Sequence, residues 1–165
     1  MIIRKATLDD AQYLAGACVQ VARFMRMGET DKFISGLPDE VDAETVNWAR
    51  GHAESEAKIA CIAEESDGRK IGCIFGKIDR SNMPMSVSGD VGTISVCWVE
   101  PNHRRSGVGR ALLAEIENWF LSRGIRHLEL AFMAKNDTAR EAWMHLGFMP
   151  FRVFAYKEIS EPHAG

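Results

Sequence analysis

The 165-residue sequence is poor in the features that mark several large protein classes. Its cysteines, Cys18, Cys61, Cys73 and Cys97, show no Cys-x-x-Cys spacing and have no paired histidines nearby. That excludes a zinc cluster and leaves them as reduced core thiols. No apolar run approaches the ~20 residues of a membrane-spanning helix. The opening MIIRKATLDD carries acids where a signal peptide would carry its apolar stretch. A broad basic face is missing too, since the net charge is −3 and the pI about 6.0. This argues against a general nucleic-acid or membrane-surface binder. There is no internal repeat and no low-complexity tract. The expectation is a cytoplasmic protein with no metal, no nucleic-acid partner and no membrane partner.

What is present fits one domain. With 46% hydrophobic residues and 18.4 kDa the chain can bury a sizeable core, and residues 1–165 are read as one unit with about 160–165 a loose tail. Ile2 to Lys5 reads as a strand, Thr7 as a helix N-cap, and a helix runs from there to about Arg26. Met27 to Asp42 reads as a mobile loop or short helices, and Glu44 to Ala53 as a second helix. Lys58 to Glu65 and Lys70 to Ile78 are β-rich runs around Ser-Asp-Gly-Arg, a hairpin signal. After a loop from Ser81 to Gly89, Thr93 to Val99 alternates as a strand that Pro101 ends. Ile125 to Met133 and Phe151 to Ile159 read as further strands. Between them lies a helix from about Asp137 to Leu146, closed by Gly147. The order β-α-α-β-β-β-α-β-α-β specifies an α/β domain with mixed strand directions.

The stretch HRRSGVGRALL, His103 to Leu113, is the most pointed. Gly107 and Gly109 lack Cβ, so the backbone can turn sharply and gather N–H groups in one place. From Val108 the apolar residues recur at Leu112, Ile116, Trp119 and Phe120, so a helix starts inside the stretch and points its positive end at the same place. Arg104, Arg105 and Arg110 add charge, and no acid lies between Glu100 and Glu115. The stretch reads as a phosphate cradle. It lacks the Lys-Ser or Lys-Thr of a P-loop and the third glycine of a dinucleotide fingerprint, so both are disfavoured.

Arg104-x-x-Gly107-x-Gly109 follows a strand ending Val99-Glu100-Pro101, with Asn136-x-x-Ala139 and Leu146-Gly147-Phe148 downstream. Together these resemble the GNAT superfamily of N-acetyltransferases, roughly from Ile3-Arg4-x-Ala6-Thr7-x-x-Asp10 to the final strand. The resemblance implies a mixed, mainly antiparallel sheet flanked by helices, with a splayed strand pair that holds acetyl-coenzyme A. It implies that backbone N–H groups from Arg104 through Arg105, Ser106, Gly107, Val108 and Gly109 to Arg110 hold the pyrophosphate. The pantetheine arm would then pair with Cys97, Trp98 and Val99, and Asn136 would bond to it, although Asn136 also reads as a helix N-cap. The acceptor implied is a small-molecule or peptide amine. Dimers are common among similar proteins, which leaves a homodimer open.

Acetyl transfer to an amine needs a neutral amine, a polarised carbonyl and a proton for the departing thiolate. Direct attack in a ternary complex fits best. Relatives often place a tyrosine seven positions after the asparagine as proton donor; here that position is Trp143. They often place a glutamate four residues before the valine; here it is Ser95. The run Thr93 to Val99 holds no carboxylate. Glu129 on the neighbouring strand and Tyr156 on the last strand are the remaining catalytic candidates beside Ser95 and Trp143. A coenzyme A-binding module with little turnover is the alternative reading. Five acids between Glu29 and Asp42 read on their own as a solvated loop; in the fold that the resemblance implies, that region walls the acceptor site and would give it a negative rim.

Overall fold

The computed structural model describes residues 1–26, 37–83, 89–155 and 157. The chain divides into two units, Met1–Ala131 and Phe132–Gly165.

The first unit carries a five-stranded sheet in the order β1-β2-β3-β4-β5. Its strands are β1 (Ile2–Lys5), β2 (Lys58–Glu64), β3 (Lys70–Arg80), β4 (Asp90–Val99) and β5 (Leu128–Leu130). The first four pair antiparallel, and β4 pairs with β5 in parallel. The expected hairpin forms, with Gly68 at φ 85° in the turn between β2 and β3. Thr7 precedes a short 3-10 turn, Leu8–Asp10, and the Asp10 carboxylate reaches back to accept its N–H at 2.8 Å. Asp10 is 2% exposed yet fully partnered: Arg4 grips both of its oxygens at 2.7 and 3.0 Å, and Lys70 Nζ stands at 2.7 Å. This cluster ties β1, β3 and the start of α1 (Ala11–Arg26) together.

α1 and α2 (Ala43–Glu54) cover one face of the sheet. Leu14, Ala15 and Ala17 of α1 and Ala49 of α2 pack there with Ala60, Ile62, Cys73, Phe75 and Trp98. Small residues on both helices permit the close approach. The loop before α2 is partly visible, and 27–36 lie outside the described residues. Of its described acids, Asp39 pairs with Arg26, and Asp42 caps α2 by accepting the Thr45 N–H at 2.7 Å. The fold therefore already employs two of the acids expected to form a negative rim.

The other face holds α3 (Val108–Leu121), which lies in a groove made by glycines. A Cβ on Gly76 would sit 2.6 Å from Ile116 Cδ1, one on Gly92 2.8 Å from Phe120, and one on Gly72 3.2 Å from Val108 Cγ1. Bare backbone at these positions lets Val108, Leu112, Ile116 and Phe120 sink fully against the sheet. It also fixes where the first turn of α3 stands relative to the end of β4. Gly124, at φ 76°, follows the helix.

The strand expected over Ile125 to Met133 is shorter, because only Leu128–Leu130 find a partner in β4. In the second unit, α4 (Asp137–His145) is capped by Asn136, whose side chain accepts the Ala139 N–H at 2.9 Å. Gly147 at φ 97° closes it, with the Phe148 N–H on the Trp143 carbonyl at 3.0 Å. The strand expected from Phe151 is not formed at 151–155 or at 157. Its alternating pattern is present, but Phe151, Val153 and Phe154 are exposed and unpaired in strand terms. The tail at 160–165 lies outside the described residues. No helix among the described residues is long and apolar enough to cross a membrane.

Candidate active site

The expected cradle forms at the end of β4. A 3-10 turn, Pro101–His103, breaks the strand, and two residues then adopt left-handed backbone, Arg105 at φ 63° and Gly107 at φ 89°. Alternating handedness of this kind turns successive N–H groups to one side. The first hydrogen bond after Gly107 runs from the Ala111 N–H to the Gly107 carbonyl at 3.0 Å, so the amides of Val108, Gly109 and Arg110 have no acceptor within the helix. A Cβ on Gly107 would meet nothing within 4 Å, and one on Gly109 would meet only Val99 Cγ2 at 4.0 Å. The space over the amides is therefore open to a ligand. Arg105 and Arg110 are exposed and carry no ion pair among the described residues.

Arg104 serves a different end. Its N–H already donates to the Pro101 carbonyl at 3.3 Å, and its Nε donates to the Val99 carbonyl at 3.1 Å. The guanidinium stacks 4.8 Å from the Trp98 ring and 5.5 Å from Phe24 on α1. It braces the turn from behind rather than filling it. Ser106 Oγ donates to the His103 carbonyl at 2.6 Å, a second brace. His103 Nε2 stands 3.4 Å from Glu65 Oε1, which accounts for this histidine within the loop.

A second feature lies in β4 itself. Phe75 pairs with Val96 and Gly76 with Ile94, so Ser95 is an extra residue in β4, a β-bulge. The parallel pairing with β5 covers Gly92, Thr93 and Ile94 and ends there. From Ser95 to Val99 the strand is paired with β3 alone among the described residues. The splayed pair implied by the sequence is thus present, and the bulge is where β4 leaves its neighbour. The run Cys97, Trp98 and Val99 lies between bulge and cradle. Burial pushes the Cys97 thiol up to about 12. At neutral pH it holds almost no thiolate and is no nucleophile.

Other candidates fall in different places. The Glu129 carboxylate accepts from Ser81 Oγ, from the Asn82 N–H at 2.9 Å and from Asn82 Nδ2 at 3.1 Å, so it anchors the end of β3. Ser95 is exposed at the bulge. Trp143 packs edge-on against Phe148 with ring centroids 5.4 Å apart. Tyr156 lies outside the described residues. Residues that sequence reasoning passed over include Tyr13 and Glu100, which border a cavity of about 430 Å³ between α1 and the end of β4. The Tyr13 hydroxyl is buried without a partner among the described residues, and burial pushes its titration up. Glu100 Oε1 is held by Trp98 Nε1 at 3.0 Å. The Glu100 signal was its place directly after the strand; Tyr13 had none.

The acetyltransferase (GNAT) family model matches residues 23–148, which include β2 to β5, the bulge and the cradle. The chain belongs to the GNAT acetyltransferase family. It is 30% identical over 129 residues to the aminoglycoside N(6')-acetyltransferase type 1 of Stenotrophomonas maltophilia, covering 77% of this chain and 82% of that protein. Among solved structures, this GNAT enzyme is similar to a tetramutant of the BH1408 protein from Bacillus halodurans, with a TM-score of 0.81 at 16% identity, covering 96% and 100% of the two chains. It is likewise similar to AAC(6')-Iy in complex with the bisubstrate analog CoA-S-monomethyl-acetylneamine, with a TM-score of 0.72 at 21% identity, covering 96% and 98%. These likenesses place the splayed sheet in the GNAT fold.

Proposed function

We propose that the enzyme transfers the acetyl group of acetyl-coenzyme A to a primary amine of a small molecule by direct attack in a ternary complex. The observation that carries this reading is the cradle: open amides at Val108, Gly109 and Arg110, two arginines with no ion pair among the described residues, and space where a Cβ at Gly109 would stand. That donor set fits a pyrophosphate. Arg105 and Arg110 supply charge from the rim, and Arg104 holds the loop in shape. From Ser95 to Val99 the edge of β4 turned away from β3 has no strand partner among the described residues and offers main-chain groups to an extended arm. When bound, the thioester supplies an activated acetyl carbon.

Direct attack is favoured because the chain offers no thiolate. Burial raises Cys18 and Cys61 to about 12, as it does Cys97, and Cys73 is raised well above the ordinary range. The likeness to an aminoglycoside N(6')-acetyltransferase makes aminosugar amines the first acceptors to test.

Coenzyme A and acetyl-coenzyme A should each raise the thermal unfolding midpoint, since a ligand at a hundredfold excess over Kd adds about 2.7 kcal/mol. Release of free thiol should then appear with an aminoglycoside bearing a 6'-amine, tested beside spermidine and a lysine peptide. An unmoved midpoint at saturating cosubstrate rules the reading out. A shifted midpoint with no turnover on any amine leaves a coenzyme A-binding regulator instead.

A further inference from the structure

The register of β3 against β4 fixes which main-chain groups of β4 reach its free edge. In an antiparallel ladder, directly opposed residues alternate between pairs that exchange hydrogen bonds and pairs whose N–H and C=O groups point outward. The Glu100 N–H donates to the Ile71 carbonyl at 2.9 Å, so the pair just past the end of β4 is of the bonded kind. Val99 opposite Gly72 and Cys97 opposite Ile74 are then outward pairs, whereas Trp98 opposite Cys73 turns its main chain to β3. Pairing with β5 stops at Ile94, and no other strand covers this edge among the described residues. Cys97 and Val99, and not Trp98, therefore present main-chain groups to the open side.

At its cradle end this edge is already partly occupied. Arg104 Nε donates to the Val99 carbonyl at 3.1 Å, where a neighbouring strand would place an N–H. The side chain is held there, because its guanidinium lies 4.8 Å from the Trp98 ring and 5.5 Å from that of Phe24. Trp98 in turn is 9% exposed and tied by Nε1 to Glu100 at 3.0 Å. The Arg104 main chain belongs to the turn, with its N–H on the Pro101 carbonyl at 3.3 Å. The turn has a further brace of its own in Ser106 Oγ on the His103 carbonyl at 2.6 Å. The bond to Val99 reaches beyond the turn: it joins the cradle to the strand edge.

We propose that Arg104 sets the register in which the cosubstrate arm lies on β4. This rests on the acetyl-coenzyme A reading above. By holding the Val99 carbonyl, Arg104 closes that acceptor to the arm and leaves the Val99 N–H and the two main-chain groups of Cys97 as the open set. The arm then brings a carbonyl to the Val99 N–H, and the Arg104 bond fixes how far that position stands from the cradle amides. A ligand that spans cradle and edge feels this distance. One that carries only a pyrophosphate does not. Arg104 is a positioning residue, since it acts through Val99.

The test uses the whole chain, calorimetry with coenzyme A and with adenosine diphosphate, and the variants Arg104→Met and Arg104→Gln. Methionine keeps the unbranched stem but has no donor. Glutamine places an uncharged N–H donor where Nε stood. Arg104→Met should bind coenzyme A about tenfold more weakly than wild type, the worth of one such hydrogen bond. Its affinity for adenosine diphosphate should stay within about twofold, and Arg104→Gln should recover most of the loss for coenzyme A. An equal loss for both ligands gives Arg104 to the turn alone. A glutamine variant as weak as the methionine one gives the effect to charge, and no loss at all makes the bond idle. Each of these overturns the register role and leaves coenzyme A binding standing. Wild type that binds coenzyme A but not adenosine diphosphate overturns it too, since the cradle then holds no pyrophosphate on its own. Wild type that binds neither overturns the acetyl-coenzyme A reading as well. If Arg104→Met does not fold, Arg104→Gln decides by its affinities for the two ligands, both of which should stay near wild type.

Discussion

The two ends of the split in β4 are built on opposite plans. At the cradle, donors come from consecutive backbone positions in one short stretch, and the side chains mainly brace or charge the rim. At the bulge the opening comes from pairing: Ser95 is the extra residue of β4 against Phe75 and Gly76 of β3, and the pairing with β5 ends at Ile94. A backbone site needs only the right turn, so it leaves a spacing of glycines that can be read directly. A site assembled by register and packing leaves no local pattern. The comparison teaches that the turn of the cradle is written locally, whereas the split is written in which residues of neighbouring strands pair.

Three substitutions sharpen the contrast. The largest effect should fall on neither end. Asp10→Asn removes the shared partner of Arg4 and Lys70, and breaking a buried ion pair costs about 3 kcal/mol or more. Its carboxyl is held well below the usual 3.8, chiefly by the Arg4 guanidinium. A depressed carboxylate stabilises the fold above its unfolded pKa and loses that contribution as pH falls. Urea titrations should therefore show the full gap between variant and wild type at pH 7 and a closing gap below about pH 4, with coenzyme A affinity of the folded variant unchanged. Next comes Gly109→Val, which fills the open space over the amides. Calorimetry should show about a hundredfold weaker coenzyme A binding, roughly 2.7 kcal/mol, with little change in urea midpoint because the nearest atom to a Cβ is 4.0 Å away. Binding as tight as wild type breaks the backbone account of the cradle. Smallest is Gly76→Ala, which forces Ile116 off the sheet. It should cost about 2 kcal/mol of stability and weaken coenzyme A only slightly, by tilting the first turn of α3.

Much of the fold was readable because its signals are local. The hairpin turn at Gly68, the stop at Pro101 and the closure of α4 by Gly147 each depend on a few neighbouring residues. The seat of α3 was not readable. Gly72, Gly76 and Gly92 look like weak points in strands, and only the helix lying on them shows what they permit. The bulge at Ser95 was hidden for a related reason, since an extra residue becomes visible only against the partner strand. The strand expected from Phe151 shows the opposite error. Alternation describes a face to be buried but cannot name the strand that will pair with it. At the rim, counting acids suggested a negative field, but Asp39 and Asp42 are taken up by Arg26 and by the amide of Thr45.

All four thiols of the chain are pushed by burial well above the value of an alkyl thiol in water, about 8.5. Coenzyme A released into solution keeps an ordinary thiol, so in a neutral reaction mixture it is by far the fastest species toward a disulfide dye. In such an assay colour should report turnover with little background from the folded enzyme. The same inertness means that alkylating reagents and mild oxidants, which disable many thiol enzymes, should leave this one working.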